Sequence, residues 1–553
     1  MKRPDRLAAT RLVATWWLPS VIACAIGALY VCYSVAQWRA LAAPSWDLGI
    51  FTEAVQTYSR FEAPIVPIKG PGYNLLGDHF HPLLALLGPI FRLFPSALTL
   101  LVVQDVLIAV SVLPVACLAQ RLLGRGGAFL VGLAYGLGWG LQGVVAAQFH
   151  EVCLAVPLLA FGGVAFVERR WGACMAWLVP LVLVKEDLGL TVFVAGLAMA
   201  WRRRGHGRPG VLCSLAYALF GIIAFVLTVK VLLPAVNPAG TWAYSLDGSA
   251  TGAGTSSGGT TAARSLPSVW GILTDPPVKL VTLLVAAAGA GLAGTSSPWF
   301  ALAAPTLAWR FAGSVDTYYV WDSWHYNAVL IPIALGALLD VLAGLKRRRA
   351  APAQAAPSPD ATDATTASAP SPDATSATAA SAPKPDTTGA SAPSPDATAA
   401  SAPSPGTTSA TTATGWLAAP VWARRLVALG VSVPLIMGVF TATDLPLWAM
   451  TREDFGREPA RATAAQQVLN TIPLGATVRT DLGLLAYLVP KATVYWVGTS
   501  TTPTDYVVVD SHSPAWGANP PKDAAAWAME HSPGSTYELI LNVGGYQVAR
   551  RSE

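Results

Sequence analysis

Charge is what this sequence has least of. Only 12% of the 553 residues are Asp, Glu, Lys or Arg, against about 25% in a soluble globular chain. With 53% hydrophobic residues and a mean hydropathy of +0.48, there is more apolar surface than one water-soluble core can absorb. A lipid bilayer is the solvent that suits it. Cysteine is also scarce. The six cysteines (Cys24, Cys32, Cys117, Cys153, Cys174, Cys213) lie in or beside apolar runs, and none is in the C-terminal hundred residues. That distribution excludes a disulfide scaffold and a Cys-based zinc site, and leaves apolar packing as their role. No block of basic residues is large enough to mark a nucleic-acid partner; the formal charge of +5 is spread over short loops. No small-residue cleavage site follows the first apolar run, so that run reads as a retained helix.

What is present is a series of apolar runs. They predict spans at 16–38, 98–120, 126–147, 152–168, 171–184, 188–201, 210–234, 277–293, 298–312, 325–344 and 425–443, eleven in all. The basic clusters are Lys2 to Arg11, Arg121 with Arg125, Arg169-Arg170, Arg202 to Arg208, Lys346 to Arg349, and Arg424-Arg425. With eleven spans and an inside N-terminus, all of them fall on the cytoplasmic side, as the positive-inside rule requires. The stretch 82–95 is short, interrupted by proline and carries Arg92. It therefore reads as an interfacial or re-entrant helix on the outer side.

The fold class expected is a polytopic α-helical membrane protein with a small C-terminal extracytoplasmic α/β domain. Residues 1–349 form the transmembrane domain, with ten spans and outer loops at 39–97 and 235–276. Residues 350–415 are almost wholly Ala, Pro, Ser, Thr, Asp and Gly, with near-repeats such as SAPSPDAT at 368–375 and 391–398. Such a composition cannot offset chain entropy by burial and reads as a cytoplasmic linker. The Gly-rich stretch 247–264 is a second flexible segment. Residues 416–449 hold the final span, and 450–553 the α/β domain. In that domain helices are expected at 458–470 and 521–531, and strands at 476–481, 492–498 and 505–510. A closing hairpin turns at Gly544-Gly545.

On this topology the unusual polar residues gather on the outer face. Asp47 follows the first span, with Glu53 on the same amphipathic stretch, and Asp78, His79 and His81 share a loop. His150-Glu151 and Lys185-Glu186-Asp187 sit at the tips of spans. Asp322, His325 and Tyr326 belong to an aromatic-rich loop at 318–326. Ionisable groups at membrane depth are costly and mark function. Asp47 fits a helix N-cap, or a carboxylate acting as general base or metal ligand. Asp47, His79, His150 and Glu151 are the candidates for a divalent metal. Lys185 suits a phosphate. Lys230 and Arg310 are single cations near the outer ends of spans; snorkelling explains either, and a lipid phosphate explains both. The aromatic loop reads as an interfacial belt or as a sugar-binding surface.

WDLGIF at 46–51, GDHFHP at 77–82, FHE at 149–151, KED at 185–187 and HYNAVLIP at 325–332 resemble the predicted membrane proteins of domain-of-unknown-function family 2079. TDYVVVD at 504–510 also fits that family. The architecture is similar to the GT-C class of integral-membrane glycosyltransferases, which have many spans and an acid soon after the first. Those enzymes take a sugar from a polyprenyl-phosphate carrier at the outer face. The resemblance implies that Asp47 is the general base and that a lipid-linked sugar is the donor. Asp78, His79, His150 and Glu151 would then orient the acceptor or a metal. Lys185, Lys230, Arg310 and His325 would stabilise the departing phosphate, and His81, Glu186, Asp187, Asp322 and Tyr326 would complete the substrate site. The partners implied are membrane polyprenyl phosphate and a cell-envelope glycan or protein acceptor. The first loop lacks the paired acids common in that class. The alternatives are a transporter or flippase of a lipid-linked or anionic substrate, and a non-catalytic membrane scaffold.

Overall fold

The structure is a computed structural model that describes residues 6–43, 45–205, 207–238, 240, 274–313, 315–350, 420–457 and 459–552. All but the first residue of the expected linker 350–415, and the Gly-rich stretch 247–264, lie outside the described residues. The N-terminal part is helical: α1 (Arg6–Arg39), α2 (Trp46–Ser59), α3 (Gly88–Leu93), α4 (Ala97–Gly136), α5 (Trp139–Ala146), α6 (Ala155–Val167), α7 (Trp171–Leu178), α8 (Leu188–Arg203), α9 (Arg208–Leu227), α10 (Leu233–Val236), α11 (Val278–Gly289), α12 (Ala303–Ala312), α13 (Leu330–Ala350) and α14 (Val421–Phe440). The C-terminal part adds α15 (Ala462–Thr471), β1 (Thr477–Thr480), α16 (Leu485–Leu488), β2 (Thr493–Trp496), β3 (Tyr506–Asp510), α17 (Ala524–Glu530), β4 (Thr536–Val543) and β5 (Tyr546–Ser552).

Five helical stretches among the described residues are long and apolar enough to cross a membrane: Trp16–Arg39, Ala97–Ala146, Arg208–Val236, His325–Arg348 and Val421–Phe440. With the composition, they make this a multi-pass membrane protein. The 50-residue stretch is not one rod. At Gly124 the backbone leaves the helix (φ 83, ψ −172), a conformation essentially reserved for glycine. The chain folds back there. A Cβ placed on Gly132 would lie 3.5 Å from the Ala116 Cβ, although a straight helix would separate the two residues by about 24 Å. Gly136 then packs on Ile26 of α1.

Several expected spans are shorter than the sequence suggests. α6 has 13 residues, a rise of about 20 Å against a hydrocarbon core of about 30 Å. Val179–Leu183 continues α7 as a 3-10 turn, with Pro180 near its start. Proline has no N–H to give to the α-helical ladder there. The expected span at 298–312 is likewise split into Phe300–Leu302 and α12. The segment 82–95 is a 3-10 turn (Pro82–Leu87) followed by α3.

The basic loops meet at one end of the bundle. Arg121 pairs with Glu168, Arg202 and Arg347 pair with Asp340, and Lys346 donates to the Arg121 carbonyl. The C-terminal domain sits at the other end. Its sheet has the order β2-β1-β3-β5-β4. The first three strands are parallel, and β5 joins β3 antiparallel. The β4–β5 hairpin turns at Gly544-Gly545, both with positive φ (56° and 84°), the requirement of a type I′ turn.

This domain docks on α1 and α2. Trp38 stacks on Tyr487 at 4.1 Å and Trp46 meets Trp496 at 4.6 Å. The Ala43 amide donates to the Tyr487 hydroxyl at 3.2 Å. Gly49 lies so close to Leu485 that a Cβ would fall 2.1 Å from its Cδ2. Buried apolar residues run without interruption from the helices into the sheet.

Candidate functional site

The site is built where the non-basic ends of the helices meet the loops 65–81 and 316–327. α2 supplies Asp47. The residue before the helix is Ser45, whose side chain makes no cap bond, and Asp47 occupies the first turn. The N-cap expected of Asp47 is therefore not its role: one residue inside the helix, its carboxylate projects outward and benefits from the helix dipole instead. It reaches His150, with Oδ2 3.3 Å from Nε2. The Asp47 side chain is 37% exposed and that of His150 is 3% exposed.

His150 is fixed from every other side. Its backbone N–H donates to Gln104 Oε1 at 3.1 Å, and Gln104 Nε2 donates in turn to the carbonyls of Val144 and Gln148. Nδ1 lies 3.1 Å from the Gln148 carbonyl. A carbonyl only accepts, so Nδ1 carries the hydrogen and Nε2 presents a lone pair in the neutral ring; the tautomer is inferred from this partner. Nε2 is near Asp47 but out of hydrogen-bond alignment and has no hydrogen-bond partner. Two proton acceptors thus stand side by side at the edge of a buried cluster. His325 stacks on His150 (3.7 Å, 20°), and its own Nδ1 is buried without a partner. Tyr326 and Tyr318 continue the aromatic column at 4.0 and 4.8 Å.

Behind this column lie three ion pairs. Lys185 Nζ is 2.6 Å from Glu151 Oε1. His79 Nδ1 is 2.8 Å from Glu186 Oε1, while Glu186 Oε2 accepts the Phe80 amide. Lys69 Nζ is 3.2 Å from Asp78 Oδ2. Glu151 lies within Coulombic reach of Lys185, His79, His150 and His81, and Tyr318 within reach of Lys185, Glu186, Asp78 and Asp47. The structure therefore brings Asp47, Asp78, His79, His81, His150, Glu151, Lys185, Glu186, His325 and Tyr326 into one cluster. Asp187 joins it beside Lys185 and Glu186.

The two loop histidines are driven apart. Burial pulls His79 down, but the Glu186 carboxylate outweighs it and holds the ring above its ordinary value. Burial lowers His81 to about 4, so it stays neutral, with Nδ1 unpartnered. Burial raises the Asp78 carboxyl, and the charges of His79 and Lys69 more than offset this, leaving it below the usual range.

Four expectations need correction. Lys185 is not a free cation awaiting phosphate, because Glu151 already holds it. Arg310 is buried and clamps the aromatic loop, donating to the carbonyls of Tyr318, Val320 and Tyr326 and to Asn327 Oδ1. Lys230 lies exposed in a π-helical turn (Thr228–Leu232), whereas Arg310 is buried and already bound to the loop. Asp47, His79, His150 and Glu151 do not converge as metal ligands: Glu186 takes His79 and Lys185 takes Glu151. No group of three or more His, Cys, Asp or Glu among the described residues is set to hold a metal ion. Asp322 faces a separate cleft, with Ser323 and the segment after α14.

Two buried acids carried no expected role. Glu53 bridges α2, the 67–69 turn and the C-terminal sheet: Oε2 accepts the Ile68 amide at 3.1 Å and Oε1 the Val494 amide at 3.2 Å. Asp105, inside α4, has both oxygens buried, with the Ser34 hydroxyl beside it. Gln104-Asp105 interrupts an apolar run, which was the available signal.

A model of the domain-of-unknown-function family 2079 (DUF2079), described as a predicted membrane protein, matches residues 38–356. The chain belongs to this family. The DUF2079 match contains every residue of the cluster and stops before α14, so the tail segment 504–510 lies beyond it. No curated protein matches the chain.

Proposed function

We propose that this DUF2079 protein is a GT-C-like glycosyltransferase that moves a sugar from a polyprenyl-phosphate carrier to an acceptor hydroxyl at the outer face. The reading takes the chain to cross the membrane eleven times, with the short apolar helices completing the spans and the basic loops inside. Its chief support is the pair Asp47 Oδ2 and His150 Nε2, 3.3 Å apart: Asp47 is partly exposed at the edge of the cluster, and Nε2 is buried behind it without a hydrogen-bond partner. A hydroxyl that reaches Asp47 donates its one hydrogen to Oδ2 and loses the proton there. Its oxygen then attacks the sugar C1. The C1–O bond to phosphate breaks, and polyprenyl phosphate leaves with the bonding electrons. Of the four groups expected to meet that phosphate, His325 is the one in the cluster with an unpartnered nitrogen, the buried Nδ1; Lys185 and Arg310 hold the frame instead.

A transport function draws on one observation, the Asp105 carboxyl buried in a span with no cation beside it among the described residues. The two readings part on the fate of the donor. Membranes containing the protein are supplied with polyprenyl-phosphate sugars, and free polyprenyl phosphate is measured. Glycosyl transfer releases it from wild type, and Asp47→Asn at equal expression lowers the release at least 100-fold. Equal release by both removes Asp47 from the chemistry. A donor that crosses the bilayer intact, with none cleaved, favours the transporter.

A further inference from the structure

The polar cluster is occupied with itself: each of its lysines is paired, and so are most of its acids. Recognition of an incoming molecule needs side chains with free valences beside it. Among the described residues, such side chains line a cleft of about 270 Å³ at the same end of the bundle, formed by the aromatic loop and the segment that follows α14. Its walls include Asp322, Ser323, Thr443, Asp444, Trp448 and Arg452. Among the described residues, the exposed side chains of Asp444 and Arg452 have no hydrogen-bond or ion-pair partner, while Asp322 accepts only from its neighbour Ser323 at 3.1 Å. Trp448 is 46% exposed.

Both walls are rigid. Arg310 and Asn327 fasten the loop through the carbonyls of Tyr318, Val320, Trp321 and Tyr326. The other wall is tied to α5 by the Leu447 amide donating to Gln142 Oε1 at 3.1 Å. The cleft is also continuous in sequence with the site, because Asp322 and Ser323 precede His325, which stacks on His150.

We infer that this cleft binds a carbohydrate, as the acceptor subsite of the transferase proposed above. An aromatic face takes the C–H side of a pyranose ring. Carboxylates, hydroxyls and a guanidinium take its hydroxyl groups as donors and acceptors at once. A cleft for a simple anion would not need two free acids, and one for an apolar ligand would not need Arg452. The inference rests on the transferase reading for its role but not for its detection, since binding is measured without a donor.

The full chain in lipid nanodiscs is titrated with maltose, cellobiose, mannobiose and chitobiose, and separately with inorganic phosphate. Saturation-transfer NMR and tryptophan fluorescence are the readouts. At least one disaccharide binds at millimolar or lower concentration, Trp448→Ala weakens it at least 10-fold, and Asp444→Asn weakens it without changing the melting temperature. Failure of all four sugars to bind overturns the inference. So does binding that both variants leave intact, or phosphate competing at equal strength. If wild type releases polyprenyl phosphate in the donor assay while no sugar binds here, the carbohydrate subsite fails and the transferase reading survives. If sugars bind and no donor is cleaved, the reverse holds.

Discussion

Raising the pH should loosen the C-terminal domain from α2, and Glu53 is the cause. Its carboxyl is buried between α2, the 67–69 turn and β2. Burial raises it from 4.5 to about 8, against the opposing pull of the Ile68 and Val494 amides. A carboxyl raised in the docked state contributes stability that is fully present below about pH 4.5 and is lost as pH rises through about 8. Within that window the loss is about 1.4 kcal/mol per pH unit, flattening as the carboxyl itself ionises, so roughly 2 kcal/mol disappears between pH 6 and pH 8. Hydrogen exchange on the full chain in nanodiscs reads it directly. After correction for intrinsic rates, protection at Val494 and Ile68 should fall about 50-fold over those two pH units. Glu53→Gln stays neutral at every pH. It leaves one of the two amides facing an amide NH₂, a constant cost of about 1–3 kcal/mol, and abolishes the pH slope. A flat wild-type profile, or an unchanged slope in Glu53→Gln, refutes the reasoning.

Arg310→Ala strands the Tyr318 and Tyr326 carbonyls and Asn327 Oδ1, at about 1–3 kcal/mol for each group that water does not reach; the melting temperature falls and exchange rises across 316–327. Arg310→Lys recovers little, because a lysine cannot reproduce the planar fork, and wild-type stability in that variant would sink the clamp. Lys185→Met and Glu151→Gln each leave a buried charge without its partner and destabilise by about 3–5 kcal/mol. The double variant costs much less than the sum. Strict additivity would mean that Lys185 and Glu151 do not depend on each other and that Lys185 is free for a phosphate after all.

Much of the architecture is legible because it depends on local pattern. Alternating β-branched residues mark β1 to β3, two glycines mark the hairpin turn, and Arg121 to Arg125 mark the reversal at Gly124. The short helix α16 is missed because LLAYLV at 484–489 suits a strand or a helix equally. The site is legible as a list of residues and not as a set of partners. His79 and Glu186 are 107 positions apart, and Lys185 and Glu151 are 34 apart. A lone lysine at a span tip reads as a ligand for phosphate until the fold delivers the carboxylate that neutralises it. The same distance effect hides Glu53, whose second partner, Val494, comes from 441 residues further along the chain.

α2 joins these observations into one mechanical unit. It carries Asp47 in its first turn, and Glu53 six residues later on the buried side. The C-terminal domain grips it at both levels, through Trp496 on Trp46 and Val494 on Glu53. A shift of that domain therefore moves the helix that sets the Asp47–His150 separation, and an error of about 1 Å there is enough to cost a proton transfer some 100-fold. On the transferase reading, the domain need not touch a substrate to matter for catalysis. Its docking would hold Asp47 in place, and the charge state of Glu53 sets the docking, so a Glu53→Gln protein should keep its donor-cleaving rate at alkaline pH where the wild type begins to lose it.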